Sequence, residues 1–209
     1  MKEEKVGFEN WWNVYGLGEL CKLEGAILQN WKYGEFDNSI PYGFGCESGF
    51  NETDVLIKVA IDRKRKIIYC DQKIYNVGKS EEKLRLSIAR HAVKSDLIVA
   101  DCKDARMINK LKKYFNINPV NNEECKVSEA LKIMQDYEII ITDKSYDLAK
   151  ELNNYIWYDK KAGVPLGGFN HAIDAIRYLF QYLLNNKRTE LSKPKILFGN
   201  KGQAYLTSA

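Results

Sequence analysis

Three strand-like segments, YGFGCES, DVLIKVAID and KIIYCDQKIY, follow one another closely, and beyond them short apolar runs alternate with amphipathic stretches. The last two of the three are separated by the polar turn Arg63 to Arg65, which predicts an antiparallel meander. Ser80 is placed to cap a helix carrying KLRLSIARHAVK, in which Leu84, Ile88 and Val93 fall near helical spacing. LIVADC then reads as a short buried strand ending in an acid. From there the pattern predicts a helix over 104 to 115, a strand near Pro119, a helix over 127 to 136, the strand YEIIIT, a helix over 145 to 157 and a last helix over 167 to 184. A meander followed by alternation describes an α/β chain: one mixed sheet, antiparallel at one side and parallel at the other, with helices on its faces.

The rest of the chain frames this unit. Residues 1 to 40, rich in aromatic residues and Gly, show no sustained period and read as an arm or linker that packs on something; residues 41 to 186 make the domain; residues 187 to 209 form a tail expected to fray or dock loosely. Five cysteines, odd in number and without a CxxC pair, favour reduced thiols over a disulfide framework or zinc knuckle. No apolar run approaches the ~20 residues of a membrane helix, and MKEEKVGFENWW lacks a signal-peptide core, so a soluble, intracellular protein is expected. With 32 basic against 28 acidic residues the net charge is +4, which permits binding to a polyanion without arguing for it.

Acids stand where such a sheet would present them together. Asp101 ends the run LIVAD, at the carboxyl end of a strand, where open α/β sheets bind ligands; Glu47 ends the first strand of the meander and would meet it if the two strands are neighbours. Asp174 lies on the last helix, three residues after His171. Clustered carboxylates repel unless a cation is shared, and hard oxygen donors suit Mg²⁺ or Mn²⁺, two of which serve in-line phosphodiester hydrolysis. Blander readings stand beside this one. Asn170, Asp174, Arg177 and Gln181 form a stripe at i, i+4, i+7 and i+11 that fits a solvated face with an Asp174 to Arg177 pair. Asp101 also fits a helix cap aided by Asp104, Glu47 an ordinary loop acid, and His171 a hydrogen-bonded structural residue.

Taken together, WWNVYGLGEL with LEGAI and NW, YGFG…ESGF before VLIKVAID, IVADCKDARMINKLKKYF, KIMQDYEIIIT and ELNNYIWYDKKAGVPLGGFNHAIDAIRY resemble, in order, the C-terminal nuclease portion of tailed-bacteriophage terminase large subunits, over Trp11 to about Leu184. The resemblance implies an RNase H-like fold and a metal-dependent endonuclease using two Mg²⁺ or Mn²⁺ ions to cut concatemeric double-stranded viral DNA. It places Asp101 as the second acid and Asp174 with His171 as the third motif. The first acid departs from the family, which tends toward G-x-D-x-G where this chain has Gly45-Cys46-Glu47-Ser48-Gly49; a different register would leave Glu52 or Asp54 as substitutes.

The same resemblance implies the packaging ATPase domain, the terminase small subunit and the portal as partners, and the host cytoplasm as location. No G-x-x-x-x-G-K-[ST] loop occurs, so ATP hydrolysis is not expected of this chain. Phosphate contacts are expected from Lys103, Arg106, Lys160 and Lys161, the last two in YDKKAGVPLGG, although a solvated surface turn explains that loop equally well. Two other functions compete: a DNA-binding or docking module whose site has decayed at the odd first acid, and another RNase H-like nuclease such as a junction resolvase.

Overall fold

β-branched and apolar residues of the meander form the centre of the sheet. The computed structural model describes residues 25–48, 53–77, 80–101, 105–120, 127–158, 164–166, 168, 170–186, 191, 195–198 and 204–207. Among these, β1 (Trp31–Tyr33), β2 (Tyr42–Glu47), β3 (Thr53–Asp62), β4 (Ile67–Val77), β5 (Leu97–Ala100), β6 (Asn116–Pro119) and β7 (Glu138–Ile141) build one seven-stranded sheet in the order β1-β7-β4-β3-β2-β5-β6. β3 runs antiparallel to both β2 and β4, whereas β2, β5 and β6 are parallel neighbours, as are β4, β7 and β1. The mixed α/β sheet expected from the sequence is present, but the antiparallel strands lie in its middle and not at one side, because β4 and β2 each take a parallel wing on their outer edge.

Among the described residues, five helices cover it: α1 (Glu81–Ala89), α2 (Ala105–Leu111), α3 (Val127–Gln135), α4 (Tyr146–Asn154) and α5 (His171–Asn185). Strand alternation divides the core between the two faces. Val55, Ile57, Val59 and Val99 pack with α3, α4 and α5, while Phe44, Cys46, Leu56 and Ile98 pack with α1 and α2. Local chemistry fixes the ends of elements. Asp62 accepts from the amides of Lys64 and Arg65 in the β3–β4 turn, and Ser80 caps α1 by accepting from the Lys83 amide, as its sequence position predicts.

Several boundaries differ from expectation. Trp31–Tyr33, placed in the arm, adds β1 in parallel to β7, and Ile27, Leu28 and Trp31 are core residues. A strand of only three residues is too short to show a period and leaves no signature in the sequence. The tail carries an antiparallel hairpin of β8 (Lys195–Phe198) and β9 (Ala204–Thr207). The helix expected to run to 157 ends at Asn154, because Ile156 and Trp157 are drawn into bridges with Ala26 and Pro165. No described helix is long and apolar enough to cross a membrane.

Cys46 and Cys70 are fully enclosed by the sheet, and burial pushes the Cys46 thiol up to about 12. Since the thiolate is the reactive form, both should resist a thiol reagent at about pH 8 in the native protein and react on addition of denaturant. Labelling read by mass spectrometry checks this; rapid native labelling of Cys46 would contradict the packing of β2.

Candidate active site

The site begins with the alternation of β2. Gly43 and Gly45 face α5, Phe44 and Cys46 face the opposite core, and Glu47 continues the glycine face at the carboxyl end of the strand. Helix α5 packs across β2, β3 and β5. It comes so close to β2 that a Cβ on Gly45 would stand 1.8 Å from the Ala175 carbonyl oxygen. Absence of a side chain at Gly45 is thus what lets the helix settle on the strand.

Cys46 and Ala100 are register partners across the parallel β2–β5 pair, so the next residues, Glu47 and Asp101, emerge side by side. The hydroxyl of Tyr178, on α5, donates to Glu47 Oε2 at 2.8 Å and also lies 3.4 Å from Asp101 Oδ2. One hydroxyl proton is shared unequally between two carboxylates. Burial, reinforced by the negative charges of Asp174, Glu47 and Asp101, pushes the Tyr178 pKa far up, keeping it a neutral donor. His171, 3.8 Å from Glu47 Oε1 through Nδ1, stands one residue before the fully buried Ala172 in the first turn of α5; that nitrogen is buried and has no hydrogen-bond partner.

Asp174 is held differently. Its Oδ1 accepts from Arg177 Nε at 2.9 Å and from a terminal Arg177 nitrogen at 2.8 Å, while Oδ2 accepts from Asn170 at 2.8 Å. Arg177 also donates to Gln181 at 2.7 Å. The Asp174 to Arg177 pair expected of a polar stripe is real, but the stripe is not solvated: Asp174, Arg177 and Gln181 are all buried. Burial works against the Arg177 charge, yet Asp174 beside it holds the guanidinium above its usual pKa.

Of the alternatives for the first acid, Asp54 points to the other face, where it accepts from Ser48. Glu52 lies outside the described residues, as do Asp104 and three of the expected phosphate contacts, Lys103, Lys160 and Lys161. Arg106 is exposed on α2, the helix after Asp101. Tyr178 and Glu151 are additions to the residues that the sequence singles out. Tyr178 was findable, being four residues after Asp174 and seven after His171 on the same helix.

The donor set suits a hard divalent cation in part: two adjacent carboxylates that share one hydroxyl proton, beside an imidazole nitrogen without a hydrogen bond. Among the described residues, however, no three Asp, Glu, His or Cys side chains are gathered closely enough to hold a metal ion, and Asp174 is engaged by Arg177 and Asn170.

No family model matches the sequence. A curated relative, the terminase large subunit of Bacillus phage SPP1, is 22% identical over 175 residues, covering 78% of this chain and 40% of the relative. Among solved structures, the large-terminase nuclease domain of bacteriophage SPP1, determined with bound Mn, superposes with a TM-score of 0.63 at 20% identity, over 74% of this chain and 97% of that one. The fold is that of a large-terminase nuclease domain. The P22 large-terminase nuclease domain agrees, with a TM-score of 0.64 at 11% identity over 81% of this chain and all of that one. The large terminase of a thermophilic bacteriophage gives 0.62 at 17% identity, over 77% of this chain but 45% of its own length. The RNase H-like terminase fold is thus matched along the nuclease part, while the chain spans well under half of the SPP1 large subunit.

Proposed function

We propose that this chain is a divalent-metal-dependent DNA endonuclease of a viral packaging terminase, hydrolysing phosphodiester bonds of concatemeric double-stranded DNA with two Mg²⁺ or Mn²⁺ ions. The observation that carries the reading is the emergence of Glu47 and Asp101 together at the ends of adjacent parallel strands, with one Tyr178 proton between them. These two acids, with His171, would hold the cation, and Asp174 would contribute after exchanging Arg177 for it. A bound divalent cation supplies charge neutralisation at the phosphate and a hydroxide-like nucleophile at neutral pH.

The chain's own groups do the rest. Tyr178 orients the Glu47 carboxylate, Arg177 and Asn170 hold Asp174 in one rotamer, and the apolar face of α5 fixes these residues against the sheet. Arg106, together with Lys103, Lys160 and Lys161, would meet the DNA backbone and position it without reading sequence. Partners proposed on the likeness to terminase large subunits are a packaging ATPase domain, the small subunit and the portal, in the host cytoplasm. A second reading, a DNA-binding module with a weakened site, is favoured by the engagement of Asp174 with Arg177.

Incubation with supercoiled plasmid tests both. Nicked and linear products are expected in millimolar Mn²⁺ and none in EDTA. Binding without cleavage at any Mn²⁺ concentration would support the second reading, and cleavage undiminished by EDTA would refute the first.

A further inference from the structure

Glu151, on α4, is 1% exposed and ties together two elements that carry the site. Its Oε2 accepts from the backbone amides of both Ala172 and Ile173, at 2.8 and 3.0 Å, and its Oε1 accepts from the Tyr75 hydroxyl at 2.9 Å. Those amides belong to the first turn of α5, where donors have no partner within the helix and a carboxylate is favoured by the helix dipole. The two residues flanking this grip are His171 and Asp174. α4 is itself locked to β4 by side chains: Gln72 accepts from the Leu148 amide at 3.0 Å and donates to Asp147 at 2.8 Å, while Ser145 accepts from the Gln72 amide at 3.0 Å. Tyr75 lies three residues further along β4 and opposite Val55, the strand partner of Glu47. An unbroken path therefore runs from the β2 to β4 strands that carry Glu47, through Tyr75 and Glu151, to the turn that carries His171.

We propose that Glu151 is a positioning residue, which with Tyr75 fixes the axial and rotational setting of the first turn of α5 so that His171 meets Glu47. The inference rests on the nuclease reading for its consequence but not for its geometry. A buried carboxylate is costly unless fully bonded, and a cap on the surface does the same for a helix end at less cost. Burial raises the Glu151 pKa, and the two amides and the Tyr75 hydroxyl act against that rise. A carboxylate retained here at such cost gives two charge-assisted bonds in fixed directions, which a neutral side chain does not.

The test compares the full chain with Glu151→Gln and Tyr75→Phe, neither of which alters a proposed ligand. Measured are the amide resonances of Ala172 and Ile173, the imidazole resonances of His171, the Mn²⁺ affinity by calorimetry, and kcat and KM on plasmid DNA. Glu151→Gln is expected to move the two amide signals upfield, shift the His171 ring signals and weaken Mn²⁺ binding. It should also lower kcat about 10- to 100-fold, the range for residues that orient metal ligands, with KM within about twofold. Tyr75→Phe should act in the same direction and less. A Glu151→Gln protein with a lowered melting temperature but unchanged His171 resonances, Mn²⁺ affinity and kcat would overturn the proposal, leaving a merely structural cap. If Glu151→Gln does not fold, Tyr75→Phe decides by the same readouts. If the unsubstituted chain cleaves no DNA, the nuclease reading fails, while the His171 signals still judge Glu151.

Discussion

Replacing Asp101 with asparagine is expected to lower Mn²⁺-dependent DNA cleavage by about a thousand-fold or more, with DNA binding nearly unchanged. The side chain is isosteric and half-buried, and the Tyr178 hydroxyl 3.4 Å away still finds an oxygen, so the fold should stand. What is lost is one of the two carboxylate charges that would hold the cation, and in a preorganised site a single such group is worth about two to three orders of magnitude or more. Glu47→Gln should match it. Tyr178→Phe, which removes only the oxygen shared by both acids, should cost about 10- to 100-fold, because it orients a ligand and is not one. That gradient separates catalysis from folding: the three variants should melt within a few degrees of each other while their rates differ widely. Equal rates for Asp101→Asn and the unsubstituted chain would place the chemistry elsewhere.

Gly45→Ala is expected to be the most destabilising single methyl addition in the site, by about 3 kcal/mol or more. Its Cβ would lie 1.8 Å from the Ala175 carbonyl oxygen and 2.4 Å from the carbonyl carbon, and backbone on both sides leaves nothing flexible to yield. Only displacement of α5 from β2 relieves the clash, and that displacement carries His171, Asp174 and Tyr178 with it. Gly43→Ala is the control. There the nearest atom is Leu179 Cδ1 at 3.1 Å, the end of a side chain that can shift, although the Leu97 carbonyl at 3.3 Å limits the room. Chemical denaturation should show Gly45→Ala far below Gly43→Ala in stability, and Gly45→Ala should lose activity even where it remains folded. Similar midpoints for both would mean that α5 does not sit on β2 as described.

What was legible in the sequence follows from what periodicity can carry. Glu47 and Asp101 were readable because a strand of known direction ends in a definite place, and period-2 alternation puts both on the α5 face. Asp174 was ambiguous for a physical reason. The stripe Asn170, Asp174, Arg177 and Gln181 has the spacing of a solvated face, but α3 and α4 pack beside α5 on the same face of the sheet, so its polar side is buried as well. A helical period shows one apolar face and is silent about which neighbouring helices pack against its flanks. Arg177 then answers a need that solvent would otherwise meet, neutralising a carboxylate that burial would leave costly. Tyr178 escapes notice because an aromatic residue on a helix reads as core, and its ring is indeed buried; only its hydroxyl belongs to the site. Glu151 could not be read from spacing at all, since its partners Tyr75, Ala172 and Ile173 are brought to it by separate elements.

The departure at the first acid also becomes concrete. Tyr178 bonds one oxygen of Glu47 and His171 stands near the other, so the longer side chain is not left to sample rotamers. The other described candidate for that role, Asp54, is excluded by strand alternation and by its bond to Ser48 on the opposite face.

Crystals soaked in Mn²⁺, with anomalous diffraction recorded at the manganese edge, test the central claim most directly. A peak is predicted between Glu47 and Asp101, with both carboxylates as ligands and the Tyr178 hydroxyl turned toward Glu47 alone. A map with no manganese within reach of Asp101 at a saturating concentration, or manganese bound only at the Asp54 face, would contradict it.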